Sequence, residues 1–252
     1  MYLPPFGPFG DPHVLVELAR RAEAAGWDGV FLWDHVVSGD LPIADTWTAL
    51  SAIAASTERI RLGPTVTPLP RRRPWIVARQ ASTVSRLSGG RLTVGVGVGS
   101  DESGDFSRFG EETDVRTRAR LLDEGLAVLR DTWRDAAEPH AIPIWVASGP
   151  HPPAGVRRRA AAADGIFPIS DHTLRPEEVA ALVGELTLPL DRPFDVVVAG
   201  NASPAWESPN PDGADLPGLA EAGATWWLES LIHFDPLAQS FEVVDAGPPP
   251  TP

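Results

Sequence analysis

The regular alternation of short apolar runs with longer amphipathic segments constrains the fold of this chain more than any other feature. Eight runs have the length and bounding residues of buried strands, and eight segments have the apolar spacing of helices. Strands separated by helices pair in parallel, because each helix returns the chain to the same end of the sheet. The length of 252 residues is typical of one eight-stranded α/β barrel. We predict that fold, although an open doubly wound sheet uses the same alternation.

The predicted elements cover most of the chain. We expect strands near residues 2–4, 29–33, 60–66, 91–98, 142–147, 164–168, 194–199 and 224–229. We expect helices near residues 12–25, 45–57, 74–87, 113–134, 153–163, 176–186, 214–222 and 236–244. Residues 201–212 are rich in Pro, Ser and Asn, which predicts a long loop. The prediction is therefore one barrel domain over residues 1–246, followed by a disordered Pro-rich tail over residues 247–252.

The composition excludes several kinds of chemistry. A formal net charge of -13 argues against a nucleic-acid partner, which needs a basic surface to neutralise phosphates. Cysteine is absent and all 21 basic residues are arginine, so thiolate catalysis and lysine Schiff bases are excluded. The histidine spacing does not predict a metal site. No apolar run approaches the roughly 20 residues that cross a bilayer, and the start of the chain lacks signal-peptide features. We expect a cytoplasmic protein with no membrane partner.

The second predicted strand ends in an acid and an imidazole, Asp34 and His35. The carboxyl ends of barrel strands form the face where catalysis takes place. His35 can exchange a proton near neutral pH, and Asp34 can orient or polarise it. The alternative is that Asp34 caps a turn and His35 is a solvated loop residue.

The fourth predicted strand has one face without side chains, because Gly95, Gly97 and Gly99 alternate with valines. Such a face allows a flat ring to approach closely, or allows tight packing inside the barrel. The spacing is not that of a dinucleotide-binding G-x-G-x-x-G motif. Ser100 follows directly and can hydrogen-bond a ligand or close a turn.

Two further segments on the same face are candidates for binding an anion. Ser148 and Gly149 end the fifth predicted strand before a helix, where backbone amides can converge on a negative group. Arg71, Arg72 and Arg73 follow the third strand, and such a cluster can steer an anionic cofactor. A solvated turn is the alternative for the arginines.

Several segments, taken together, resemble the bacterial-luciferase-like flavin-dependent oxidoreductases. They are residues 60–67, the Leu-Ser-Gly-Gly-Arg-Leu turn and strand of residues 87–99, residues 142–149, residues 160–167, and the strand that ends in Asp34 and His35. The resemblance implies an eight-stranded α/β barrel and is greatest to the branch that uses the deazaflavin coenzyme F420. Less often, members of that branch use flavin mononucleotide (FMN).

The resemblance also implies a function and a set of site residues. It implies hydride transfer between coenzyme F420 and a small organic substrate, in a homodimer. His35 would donate or accept a proton, and Asp34 would bond the cofactor ring or orient His35. A non-proline cis peptide often forms in this family at the place of Thr65 and Val66. The implied cofactor-binding residues are Thr65, Val66, Gly97, Gly99 and Ser100 for the ring and its chain, Ser148 and Gly149 for the phosphate, and Arg71 and Arg72 for an anionic tail.

One departure from the family leaves other functions open. Most members carry a substantial insertion between the fourth helix and the fifth strand, whereas here only eight residues separate Trp133 from Ile142. The short connection suggests an open site or a site closed by another chain. The alternatives are an FMN-dependent monooxygenase, a non-catalytic flavin-fold binding protein, and a metal-free isomerase or lyase that uses Asp34 and His35.

Overall fold

A computed structural model of the chain describes residues 1–136, 138–186, 192–202 and 214–250. Strands and helices alternate through these residues. The strands are β1 (Tyr2–Leu3), β2 (Gly29–Leu32), β3 (Arg61–Pro64), β4 (Thr67–Pro68), β5 (Val94–Gly97), β6 (Ile144–Ser148), β7 (Gly165–Pro168), β8 (Asp195–Gly200) and β9 (Trp226–Glu229). The α-helices are α1 (Pro12–Ala24), α2 (Thr46–Ser56), α3 (Pro74–Leu87), α4 (Val115–Asp135), α5 (Ala154–Ala161), α6 (Pro176–Glu185), α7 (Leu216–Glu221) and α8 (Leu237–Asp245).

The strands follow one another in chain order and pair in parallel. β1, β2 and β3 form one sheet, and β4 to β9 form a second. Parallel bridges join the sheets at both pairs of edges, from Leu62 to Leu92 and from Tyr2 to Ser230. β3 and β4 are two parts of the third predicted strand, so the ring order is that of the predicted eight-stranded α/β barrel.

The predicted helices and strands are present, and the main differences lie at strand ends. The strand predicted over residues 91–98 is confined to β5, because Arg91 belongs to the preceding turn. Its guanidinium donates hydrogen bonds to the backbone carbonyls of Ala54, Thr57 and Ile60. α4 ends at Asp135 and β6 begins at Ile144, which agrees with the predicted short connection. No helix in the described ranges is long and apolar enough to cross a membrane.

Two predicted irregular segments fall largely or partly outside the described residues. Of the loop predicted over residues 201–212, the structure describes only residues 201 and 202. Of the tail predicted over residues 247–252, it describes residues 247–250, which form neither helix nor strand. The division into a barrel domain and a disordered tail stays a prediction.

Glycines allow the third and fourth strands of the barrel to pack closely. A Cβ atom at Gly63 would collide with the backbone carbonyl of Thr93, and one at Gly95 would come within 2.6 Å of the carbonyl oxygen of Pro64. Larger residues at either position would push the strands apart. Close packing therefore accounts for Gly95, and it fixes the distance between the two strands that lead into the site described below.

Candidate active site

A cavity of about 970 Å³ lies at the carboxyl ends of the strands. Its wall includes residues that follow β2, β5 and β6 and residues near the junction of β3 and β4. All the predicted site residues except the two arginines line it: Asp34, His35, Thr65, Val66, Gly97, Gly99, Ser100, Ser148 and Gly149. Separate strand ends therefore meet at one site, as the barrel fold requires.

A second cavity, of about 860 Å³, lies near the amino ends of β2, β3 and β9. Its lining includes Met1, Gly29, Arg61 and Trp226, and it contains none of the predicted site residues. Barrel enzymes place their chemistry at the carboxyl ends of the strands. The cavity at those ends is therefore the candidate active site.

His35 is held in the cavity wall by Asp105, a residue that the sequence analysis did not select. The Nδ1 atom of His35 lies 2.7 Å from Asp105 Oδ2. The backbone amides of Val36 and Val37 donate to the other oxygen of Asp105, at 2.7 and 3.2 Å. The predicted role of Asp34 in orienting His35 is therefore corrected, because Asp105 makes that contact.

The charge on Asp105 determines which nitrogen of His35 carries a proton. Burial opposes ionisation of Asp105, but the hydrogen bonds from His35 and the Val36 amide outweigh it and hold the pKa of the carboxyl below its usual value. An ionised carboxylate only accepts hydrogen bonds, so Nδ1 carries the shared hydrogen. Nε2 has no hydrogen-bond partner among the described residues. The side chain is 30% exposed, which leaves Nε2 available to a ligand.

Asp34 belongs to a buried ion cluster beneath His35. Its carboxylate accepts a hydrogen bond from Thr67 Oγ1 at 2.8 Å and another from the guanidinium of Arg72. Arg71 donates to the backbone carbonyl of Asp34 at 2.7 Å and to Asp105 Oδ1 at 3.0 Å. Arg71 therefore joins the two buried carboxylates, and Arg71 and Arg72 together balance their charge.

These contacts correct the predicted role of the arginine cluster. Arg71 and Arg72 do not line the cavity, and their guanidinium groups are bonded to Asp34 and Asp105. Two buried carboxylates need compensating positive charge, and removing that charge is costly. Arg71 and Arg72 therefore compensate the two buried carboxylates, and they are not positioned to bind the anionic tail of a cofactor in this cavity.

One half of the cavity carries polar atoms without partners and a wall with few side chains. The Thr65–Val66 peptide bond is cis, as the family resemblance implied. The hydroxyls of Thr65 and Ser148 are buried and lack a hydrogen-bond partner among the described residues. Gly97 and Gly99 line the same half. Buried hydroxyls are usually bonded, so this half is suited to a polar ligand.

The amino end of α5 extends this half of the cavity beyond Ser148 and Gly149. Gly155, in the first turn of α5, lines the cavity. The first amides of a helix have no acceptor within the helix and favour an anion. Arg159 also lines the cavity, but its guanidinium is bonded to Asp123 and to the carbonyl of Ala119. Anion binding here therefore depends on backbone amides.

The other half of the cavity is aromatic and apolar. The ring of Tyr2 lies 5.4 Å, between centroids, from the rings of both Trp33 and Phe167. The Nε1 atom of Trp33 is buried and has no hydrogen-bond partner among the described residues. Ile232, 38% exposed, lies on this side, because the amide of the preceding Leu231 donates to the carbonyl of Tyr2. Ile169, 45% exposed, lies where the two halves meet, because its amide donates to the carbonyl of Ser148 at 2.8 Å.

The contact of Asp105 with His35 was not predicted from the sequence. Asp105 lies in an acidic segment with Asp101 and Glu102, directly after the glycine-rich strand. That position on the catalytic face was a usable signal for a carboxylate. It did not distinguish Asp105 from Asp101, whose carboxylate instead accepts from the amides of Phe106 and Ser107.

Comparison with known proteins gives the class to which this fold and site belong. The model of the luciferase-like monooxygenase family matches residues 7–201. The chain belongs to that family.

Curated relatives match about half of the chain. An F420-dependent glucose-6-phosphate dehydrogenase from Amycolatopsis mediterranei is 35% identical over 129 residues, which are 48% of this chain and 38% of that protein. The enzyme of the same name from Intrasporangium calvum is 31% identical over 166 residues, which are 55% of this chain and 48% of that protein. The matches thus span less than half the length of these relatives.

Solved structures are similar over nearly the whole chain. An F420-dependent secondary alcohol dehydrogenase, in complex with an F420-acetone adduct, has a TM-score of 0.73 at 16% identity. The two chains are covered to 97% and 96%. The monooxygenase RslO1 from Streptomyces bottropensis has a TM-score of 0.70 at 18% identity, with coverage of 97% and 96%. At these identities the similarity establishes the fold.

Proposed function

We propose that this chain is an oxidoreductase that transfers a hydride between coenzyme F420 and a small organic substrate. The observation that carries the proposal is the pair of His35 and Asp105, which presents to the cavity at the carboxyl ends of the strands a ring nitrogen without a partner among the described residues. The curated relatives that are named as F420-dependent dehydrogenases support the choice of cofactor.

The residues of the polar half fit a flat ring that carries a polar chain and a phosphate. Thr65 and Val66 would lie against the ring, and the backbone of Gly97 and Gly99 would line the space beside it. Ser100 would bond the chain. The unpartnered hydroxyl of Ser148, together with Gly149 and the first amides of α5, would hold the phosphate.

The protein's own part in the reaction is the movement of a proton. The chemistry that coenzyme F420 supplies when bound is the acceptance or donation of a hydride. Nε2 of His35 takes the proton of a substrate hydroxyl, or returns it to a carbonyl oxygen in the reverse direction. Asp105 keeps the proton on Nδ1 and stabilises the imidazolium that forms. Arg71 holds Asp105 in place.

Flavin mononucleotide is the second candidate cofactor, with monooxygenation as the reaction. The description of the matched family as luciferase-like monooxygenases supports monooxygenation as the alternative reaction. The proposed homodimer and cytoplasmic location rest on the family resemblance and the sequence.

Titration of the purified chain with each cofactor tests the proposal. Oxidised coenzyme F420 and FMN are added separately while cofactor and tryptophan fluorescence are followed. We expect saturable binding of coenzyme F420 with a dissociation constant in the micromolar range, about -8 kcal/mol. Ser148→Ala should weaken binding several-fold, whereas Ser56→Ala, at an exposed serine at the end of α2 outside the cavity, should not. Absence of binding of either cofactor at high micromolar concentration would contradict the proposal.

A further inference from the structure

We propose that the substrate of this site is an uncharged, apolar secondary alcohol or ketone with one reacting oxygen, and not a phosphorylated sugar. The inference rests on the proposed function and names the substrate class for the same site. It differs from the substrate in the names of the curated relatives, which are glucose-6-phosphate dehydrogenases.

The cavity offers no unpaired cation to a phosphate group. Arg159 is the arginine in its lining, and it is bonded to Asp123 at 2.6 and 3.0 Å. Residues 137, 187–191, 203–213 and 251–252, outside the described ranges, include no Arg, Lys or His. They therefore cannot add a cation. Phosphate recognition normally uses charge-assisted bonds from such groups.

The remaining basic group on the rim, besides His35, is already neutralised. Nδ1 of His172 lies 2.9 Å from Asp171, and Nε2 lies 3.2 Å from Glu178. Hydrogen bonds to Asp171 and Glu178 raise the pKa of His172, and Arg175 also pairs with Glu178, at 3.2 Å. The basic groups of this part of the rim are therefore already paired with carboxylates and leave no free positive charge for a substrate phosphate.

The wall beside His35 is suited to an apolar substrate. The rings of Tyr2, Trp33 and Phe167 pack together there, and Ile169 and Ile232 expose apolar surface at the rim. An apolar molecule gains about 25 cal/mol for each Å² that it buries against such a wall. A sugar would lose water from several hydroxyls that find few partners there.

Two polar groups of this wall, in addition to the hydroxyl of Tyr2, can meet a single oxygen atom of a substrate. Nε1 of Trp33 is a buried donor without a partner among the described residues. Nε2 of His35 can exchange one proton. Oxidation of a secondary alcohol releases the carbon-bound hydrogen as a hydride to the cofactor and the hydroxyl proton to His35, and it leaves a ketone. Atoms and electrons therefore balance with the transfers already proposed.

The first experiment compares 1-phenylethanol with glucose 6-phosphate on the purified full chain. With coenzyme F420 present, reduction of the cofactor is followed by its absorbance. Without cofactor, saturation-transfer NMR reports direct contact of each compound with the protein. We expect kcat/KM for 1-phenylethanol to be at least about tenfold higher, and saturation to reach its ring protons but not glucose 6-phosphate.

Variants of the apolar wall test whether it binds the substrate. Ile232→Asp should lower kcat/KM for 1-phenylethanol about tenfold and abolish saturation transfer, with the affinity for coenzyme F420 unchanged. Leu87→Asp is the matched control, because Leu87 is an exposed apolar residue, 49% accessible, at the far end of α3. It should leave both measurements unchanged.

Failure of this inference is distinguishable from failure of the proposed function. If coenzyme F420 binds and glucose 6-phosphate is oxidised as well as or better than 1-phenylethanol, the substrate class is wrong while the proposed function stands. If coenzyme F420 does not bind, the proposed function fails and NMR still compares the two compounds. Saturation transfer to glucose 6-phosphate, or to neither compound, overturns the inference in either case.

Discussion

His35 has one ring nitrogen bonded to Asp105 and the other free of partners among the described residues. The free nitrogen can therefore act on a ligand while the bonded one fixes the orientation of the ring. Sequence indicated His35 through its position after a buried strand. The carboxylate that orients His35 could not be identified from the sequence, because Asp105 lies 70 positions later in the chain.

Replacement of His35 should separate proton transfer from cofactor binding. We expect His35→Ala to lower kcat/KM by about 10²- to 10⁴-fold, since a positioned acid or base contributes that much. The affinity for coenzyme F420 should change less than threefold, or about 0.7 kcal/mol. His13→Ala, at an exposed histidine at the start of α1, is the control and should behave as the unaltered chain. Equal losses in the two variants would argue against a role for His35.

Asp105 should make the stability of the chain depend on pH at the acid end. Its pKa is lower in the folded than in the unfolded state, so ionised Asp105 contributes stability above its unfolded pKa of about 3.9. That contribution is lost as the pH falls through the lower folded pKa. Asp105→Asn, which cannot ionise, should lack this component.

Urea unfolding between about pH 2 and pH 7 measures the difference, as the stability gap between the two proteins at each pH. We expect the gap to be constant above about pH 5 and to narrow as the pH falls below about 4. A gap that widened with acidification would show that the pKa of Asp105 is raised on folding.

At the scale of elements, sequence periodicity predicted where helices and strands occur but not where each strand ends. The ends depend on side chains that bond the backbone. Arg91 is the clearest case, since its guanidinium bonds carbonyls at the end of α2 and before β3. An alternating strand pattern does not indicate such a bond. The strand was therefore predicted to begin at residue 91, before its observed start at Val94.

Loss of Arg91 should destabilise the connection between α2 and β3. We expect Arg91→Ala to lower the free energy of unfolding by about 2 kcal/mol or more, because several backbone carbonyls lose a charged donor. Arg120→Ala is the control. Arg120 forms an exposed pair with Glu124, and such pairs contribute less than about 1 kcal/mol. Urea denaturation gives both values, and equal small losses would contradict the structural role of Arg91.

At the scale of the whole molecule, the barrel brings together residues that lie far apart in the chain. Strand–helix alternation predicted that Asp34, Thr65, Gly97 and Ser148 would share one face, and they line one cavity. Two features could not be predicted from the sequence. The aromatic wall and the ion cluster of Arg71 and Arg72 arise from packing and charge compensation, which depend on three-dimensional proximity.

Close packing of the third and fourth strands should be intolerant of a methyl group. Gly63→Ala would direct its Cβ at the carbonyl of Thr93, and we expect a loss of about 3 kcal/mol or more in the free energy of unfolding. Gly184→Ala, in α6 with open space around its Cβ, should instead be neutral or stabilising by up to about 1 kcal/mol. Thermal and urea unfolding measure both. A tolerated Gly63→Ala would mean that the strands are further apart than described.

An experimental structure of the chain with coenzyme F420 tests the central claim most directly. We expect the deazaflavin ring against Thr65 and Val66, with His35 at its substrate side and the phosphate at Ser148 and Gly149. Cofactor density in the cavity at the amino ends of the strands, or a phosphate held by Arg71 and Arg72, would contradict the account.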